Sequence, residues 1–135
     1  MALRVMIVED SPLTREMLKE MLDILGHKVV AEAENLSGAL AAYQQHRPDL
    51  VTIDLSLPQE DGLTILRALR KADPAARAVI VSGNSQARIR EEALAIGAMD
   101  LLGKPIELDS LRQLLEKIPA HADTPPGPTS NPPAP

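Results

Sequence analysis

Four places in the sequence carry side chains suited to moving a charged group: the adjacent acids Glu9 and Asp10, the aspartate Asp54, the hydroxyl of Ser82 and the Lys104-Pro105 pair. Each follows a short, mainly apolar stretch: Leu3 to Val8, Leu50 to Ile53, Ala78 to Val81 and Met99 to Leu102. Carboxylates gathered at one rim repel one another, and a bound cation offsets that cost. Hard oxygen donors of this kind suit Mg2+ or Mn2+, which takes one or two carboxylates and completes its shell with water and phosphate oxygens. Lys104 adds a positive charge and Ser82 a hydroxyl donor, together a receptacle for a small tetrahedral oxyanion. Asp54 falls between the acidic pair and the Lys/Ser pair, which makes it the candidate nucleophile. A carboxylate can accept a phosphoryl group as an acyl phosphate, and the protein's part in such a step is positioning and charge neutralisation.

Taken singly, each residue has an ordinary structural explanation. Glu9-Asp10 fits a turn before a helix N-terminus, which favours negative charge. Asp54 fits a strand-end turn, with Pro58 and Gly62 as further turn signals. Ser82-Gly83 fits loop chemistry, and Lys104-Pro105 fits a solvated lysine before a turn. Their joint placement, each at the same end of a different apolar run, favours the functional explanation.

The elements that must position them follow from alternating apolar runs and helical patterns. Ser11-Pro12 opens a helix, the serine as cap and the proline where its missing N–H costs nothing. Leu13, Met17, Met21 and Ile24 line one face, Leu18, Leu22 and Leu25 widen the stripe, and Gly26 ends it. A strand over Lys28 to Ala31 precedes a helix over Leu36 to Gln45, stopped by Arg47-Pro48. The strand Leu50 to Ile53 precedes a helix over Leu63 to Lys71, and the strand Ala78 to Val81 precedes one from about Gln86 to Ile96. The strand Met99 to Leu102 leads into the last helix, Leu108 to Ile118. Five such units with apolar strands predict an α/β fold, a doubly wound parallel sheet covered on both faces through right-handed crossovers. In such sheets ligands bind beyond the carboxyl ends of the strands, where strand order reverses, and the candidate residues fall there.

Composition bounds the rest. The 135 residues suit one domain, and 44% apolar content with 1% aromatic predicts an aliphatic core. A net charge of −5 argues against direct nucleic-acid binding. With no cysteine there is no disulfide frame or thiolate site, and no apolar run has the length of a leader or membrane span, so a cytoplasmic location is expected. Residues 119–135 hold seven of the twelve prolines. That stretch reads as a disordered tail or a linker, leaving residues 1–118 as the globular unit.

These residues resemble the receiver domain of bacterial response regulators. The likeness rests on Ile7-Val8-Glu9-Asp10-Ser11, on Asp54-Leu55-Ser56-Leu57-Pro58-Gln59-Glu60-Asp61-Gly62, on Val79-Ile80-Val81-Ser82-Gly83, and on Gly97-Ala98 through Gly103-Lys104-Pro105. It implies a flavodoxin-like (βα)5 fold of strand order 2-1-3-4-5, for which this family is itself a standard example. It also implies that Asp54 is phosphorylated from a phosphohistidine on a sensor histidine kinase or histidine phosphotransfer protein. Mg2+ would be held by Asp10, Asp54 and the backbone carbonyl of Ser56, with Glu9 acting through a water. Ser82 and Lys104 would bind phosphoryl oxygens, and the Lys104-Pro105 bond would be cis.

Three departures bear on the switch. Leu101 stands where the family usually has Phe or Tyr, so an aromatic ring cannot swing inward there. Gly83 replaces the commoner alanine and should open the site slightly. Ser56 and Asn84 occupy the positions that flank the acyl phosphate. His27, His46, His121 and Tyr43 are expected to be inert, Tyr43 as a surface-packing residue; Arg88 and Arg90 are expected on a solvated face. The leading expectation is a stand-alone regulator that switches binding to an unknown output protein. The alternatives are the receiver half of a longer regulator and a phosphorylation-independent interaction module. A phosphohydrolase ranks last, because no second carboxylate stands two residues after Asp54.

Overall fold

Strands form in this chain over short, mainly aliphatic stretches, and helices where apolar residues recur every three to four positions. A computed structural model describes residues 2–83 and 87–119. Its first half runs β1 (Arg4–Val8), α1 (Pro12–Ile24), β2 (Lys28–Ala33), α2 (Leu36–His46) and β3 (Leu50–Asp54). The second half runs α3 (Gly62–Ala72), β4 (Ala78–Ser82), α4 (Ala87–Ile96), β5 (Asp100–Gly103) and α5 (Leu108–Glu116). The five strands pair in parallel in the order β2-β1-β3-β4-β5, so the order reverses between β1 and β3, as expected of a doubly wound sheet.

Alternate residues of each strand face opposite layers. Met6 and Val8 join Val51, Ile53, Ala78 and Ile80 under α2, α3 and α4, whereas Val5 and Ile7 join Leu50, Val79 and Val81 under α1 and α5. The central strands β1, β3 and β4 are buried almost throughout. The edge strands β2 and β5 are only partly so, because each has a neighbour on one side alone, and β2 carries Glu32. Helix starts follow their caps: Ser11 accepts from Thr14 N–H, Asn35 from Gly38 N–H and Asp61 from Thr64 N–H. Residue 86, expected as the start of the fourth helix, lies outside the described residues, as do Asn84 and residues 120–135.

Two expectations are corrected. The face of α1 against the sheet is Leu18 and Leu22, whereas Leu13 is 79% and Ile24 62% exposed and Met17 is also exposed. The two apolar stripes are offset by one residue, about 100° around the helix, and the sheet covers one of them. Tyr43 is buried in the core: its hydroxyl donates to Asp73 at 2.8 Å, and the Arg47 guanidinium lies 5.7 Å over its ring. Burial, reinforced by Asp73, pushes its phenol well above the usual range. His27 is likewise engaged, its Nδ1 accepting the Leu3 N–H at 2.9 Å.

Candidate active site at the carboxyl rim of the sheet

The strands continue further than the apolar runs, and that extension builds the site. Asp54 is the last residue of β3, paired with Val81, and Ser82 is the last of β4, paired with Gly103. Val8 pairs with Ile53, so Glu9 leaves β1 beside Asp54 at the point where strand order reverses. The Lys104 backbone N–H donates to the Ser82 carbonyl at 3.0 Å, and the Lys104-Pro105 bond is cis. Backbone ladders thus bring together Glu9, Asp10, Asp54, Ser82 and Lys104 from four strand ends.

Carboxylate oxygens of Glu9, Asp10 and Asp54 lie within 4.8 Å of one another. Glu9 and Asp54 are each only 4% exposed and Ser82 5%, while Asp10 is half-buried. The Lys104 ammonium lies 3.1 Å from Asp54 Oδ1 and 3.5 Å from Glu9 Oε1. Burial pushes the Glu9 carboxyl above the ordinary carboxylate range; the Ser11 amide opposes this, the Asp54 charge adds to it and Lys104 opposes it. Burial on its own would lower the Lys104 ammonium, but the Asp54 hydrogen bond and charge, with Glu9, override it and raise it. Among the described residues the Lys104 ammonium is the one cation paired with this cluster of three carboxylates. A donor set of crowded, partly buried carboxylates fits a hard divalent cation, which would relieve the same repulsion.

The local backbone explains the placement. Leu55 N–H continues the ladder to Val81 at 2.9 Å, and Ser56 N–H donates to Asp54 Oδ1 at 3.3 Å. A Cβ on Gly62 would stand 2.4 Å from the Asp54 carbonyl oxygen, so only glycine lets α3 begin there. At Gly83 an added Cβ would meet nothing within 4 Å among the described residues, so packing there does not require glycine. Leu101 is half-buried against the core. Arg90 does not stand free on its helix but pairs with Asp100 at 3.0 Å.

One contributor escapes motif reading. Arg15 donates to the Glu9 carbonyl oxygen at 2.8 Å and pairs with Glu32 at 3.2 Å, bracing the backbone of the acidic pair. Its only sequence signal is a cation one turn past the Ser11 cap, which is common on solvated helix faces.

This fold and rim define a doubly wound α/β domain with an acidic site at the carboxyl ends of its strands, and comparison with known proteins gives the family. Residues 5–116 match the response regulator receiver domain, and the chain belongs to that family: it is a two-component response regulator receiver. It is 38% identical over 117 residues to the chemotaxis protein CheY of Bacillus subtilis, covering 87% of this chain and 98% of that one. Among solved structures it is similar to a LuxR-family two-component response regulator from Aurantimonas, at 31% identity and a TM-score of 0.82, covering 87% of this chain and 84% of that one. A chain of the CheX–CheY–BeF3–Mg2+ complex from Borrelia burgdorferi is similar at 27% identity and a TM-score of 0.81, covering 84% of this chain and 87% of that one. Among the described residues no helix is long and apolar enough to cross a membrane.

Proposed function

We propose that the chain acts as a stand-alone cytoplasmic receiver that takes a phosphoryl group on Asp54 and changes its protein partners when it does so. The observation that carries this reading is the Asp54 carboxylate: buried, ion-paired to Lys104, and within 4.8 Å of the Glu9 and Asp10 oxygens. In the proposed step an Asp54 oxygen attacks the phosphorus of a phosphohistidine on a sensor histidine kinase or histidine phosphotransfer protein. An O–P bond forms, the P–N bond breaks, and its electron pair stays on the imidazole nitrogen. Lys104 then pairs with a phosphoryl oxygen in place of the carboxylate it now holds, and the Ser82 hydroxyl donates to another. Attack of water on the same phosphorus releases inorganic phosphate and restores the Asp54 carboxylate. Both steps are catalysed by the domain's own groups.

Asp10, Asp54 and the Ser56 carbonyl are the groups that would hold Mg2+, with Glu9 reaching it through a water; Mn2+ fits the same donors. Bound there, the cation neutralises charge on the phosphoryl oxygens. The similar CheY complex contains BeF3 and Mg2+, which supports this assignment. Residues 1–118 would be the working unit, with 119–135 as a tail or linker. Output would pass through the α4, β5 and α5 face to a protein partner, without the aromatic swing that Leu101 denies it.

The test is an amide NMR titration of the wild type and Asp54→Asn with Mg2+ and beryllofluoride. Mg2+-dependent shifts at Asp54, Ser82 and Lys104 that reach α4 and β5, and vanish in Asp54→Asn, are the expected result. Shifts confined to the rim would remove the proposed output face. No response in the wild type would overturn the phosphoacceptor assignment.

A further inference from the structure

The loop between β3 and α3 starts one residue after Asp54 and carries the Ser56 carbonyl. Its inner end is closed by backbone contacts: Gly62 N–H donates to the Leu55 carbonyl at 2.9 Å, and Ser56 and Asp61 form an isolated antiparallel bridge. Its outer end is tied elsewhere. The half-buried Glu60 accepts, through Oε1, the backbone N–H of Leu36, the first residue of α2.

A helix start needs acceptors for its first N–H groups, and a carboxylate there is favoured by the helix dipole. The α2 start already has a local cap, since Asn35 Oδ1 takes the Gly38 N–H at 2.9 Å. Glu60 is a second acceptor, supplied from 24 residues away by the loop beside the phosphoacceptor. The end of β2, which leads into the same turn, is fastened to the acidic pair. Glu9 N–H donates to the Ala33 carbonyl at 2.9 Å. Arg15 spans from the Glu9 carbonyl, at 2.8 Å, to Glu32, at 3.2 Å. The end of β2 and the turn after it are therefore a common beam under both walls of the site, with Arg15 joining Glu32 of β2 to the Glu9 wall and Glu60 joining Leu36 to the Ser56 wall.

From this we infer that Glu60 is a positioning residue: through Leu36 it sets where the Ser56 carbonyl stands relative to the Glu9-Asp10 carboxylates. The inference rests on the metal site proposed above. It gives a loop carboxylate, which touches neither metal nor phosphoryl group, a measurable part in cation affinity.

The experiment uses the full 135-residue chain as wild type, Glu60→Ala, Glu60→Gln and Asn35→Ala. Two quantities are read: Mg2+ affinity by amide-shift titration, and the Ser56 and Leu36 amide signals without metal. Glu60→Ala is expected to weaken Mg2+ binding about tenfold, the scale typical of a residue that orients a ligand, and to shift the metal-free Ser56 amide. Glu60→Gln keeps an oxygen acceptor and is expected to recover most of the affinity. Asn35→Ala should loosen the α2 start, seen at Gly38, yet leave Mg2+ affinity as in the wild type. Equal affinities for wild type and Glu60→Ala would overturn the inference. So would equal weakening by Asn35→Ala, which would make Glu60 a helix cap and nothing more. Should Glu60→Ala fail to fold, Glu60→Asp, one methylene short of Leu36, takes its place. A wild type that binds no Mg2+ would sink the metal site itself; an unmoved Ser56 amide in the metal-free variant would sink the role of Glu60 separately.

Discussion

The two rims of the sheet treat buried acids in opposite ways. At the rim where strands begin, Asp49 is buried and accepts the Arg4 backbone N–H at 2.8 Å, while its own N–H donates to the Arg4 carbonyl at 2.7 Å. The Arg4 guanidinium donates to the carbonyls of Arg47 and His46 at 2.9 and 2.7 Å, and His27 takes the Leu3 N–H. Polar groups there are used to close the backbone. At the rim where strands end, Glu9 and Asp54 are equally buried but face each other across one lysine. The first rim spends its polar groups on stability. The second holds surplus negative charge that the rest of the fold must carry, a cost characteristic of sites kept ready for a ligand.

The largest expected effect is chemical. Asp54→Asn should abolish phosphoryl uptake from a small donor in the presence of Mg2+, seen by mass spectrometry as complete loss of the phosphoryl mass increment, while Asp49→Asn should leave uptake in place. The same pair inverts for stability. Asp49→Ala should lower unfolding free energy by about 1 kcal/mol, because it strips the carboxylate partner from the part-buried Arg4 N–H. Asp54→Asn should leave the metal-free protein equally or more stable, since repulsion with Glu9 goes. Denaturant midpoints check both, and a marked loss in Asp54→Asn would break the comparison of rims.

Ligand linkage comes next. If the strand-end rim is the strained one, Mg2+ should raise the melting temperature of the wild type, equivalent to about 2.7 kcal/mol at a concentration a hundred times the dissociation constant. It should raise that of Asp54→Asn much less.

The smallest effect lies at the strand-start rim. Burial lowers the His27 imidazole below its ordinary value of 6.5, and its Nδ1 can accept the Leu3 N–H only when unprotonated. A histidine with a lowered native pKa binds its proton more readily when unfolded. Its stabilisation is therefore present above pH about 6.5 and lost as pH falls below that value. Melting curves between pH 7.5 and 5.5 should show a slope that His27→Asn reduces.

Much of this was legible in the sequence. Apolar runs fixed the strands, because a parallel sheet covered on both faces leaves its central strands no reason to alternate. Ser11-Pro12 marked where the first helix starts and Gly26 where it stops, since a capping side chain, or the lack of one, answers local backbone needs. Glu9, Asp10, Asp54, Ser82 and Lys104 stood out because each ends a strand, and strand ends in a parallel sheet meet at one rim.

What the tertiary structure decided was everything that depends on a distant neighbour. Two apolar stripes run along α1, and only the sheet's position buried Leu18 and Leu22 while leaving Leu13 and Ile24 in water. Tyr43 became a core residue because Asp73, 30 residues on, meets its hydroxyl. Arg15 and Glu60 have partners that no local pattern names, the Glu9 carbonyl and the Leu36 amide, which the fold alone brings to them. Local pattern determines which elements form, because propensity and capping act within a turn. Which charges end up paired, and which stripe is buried, is set by long-range packing, because those partners come from other elements of the chain.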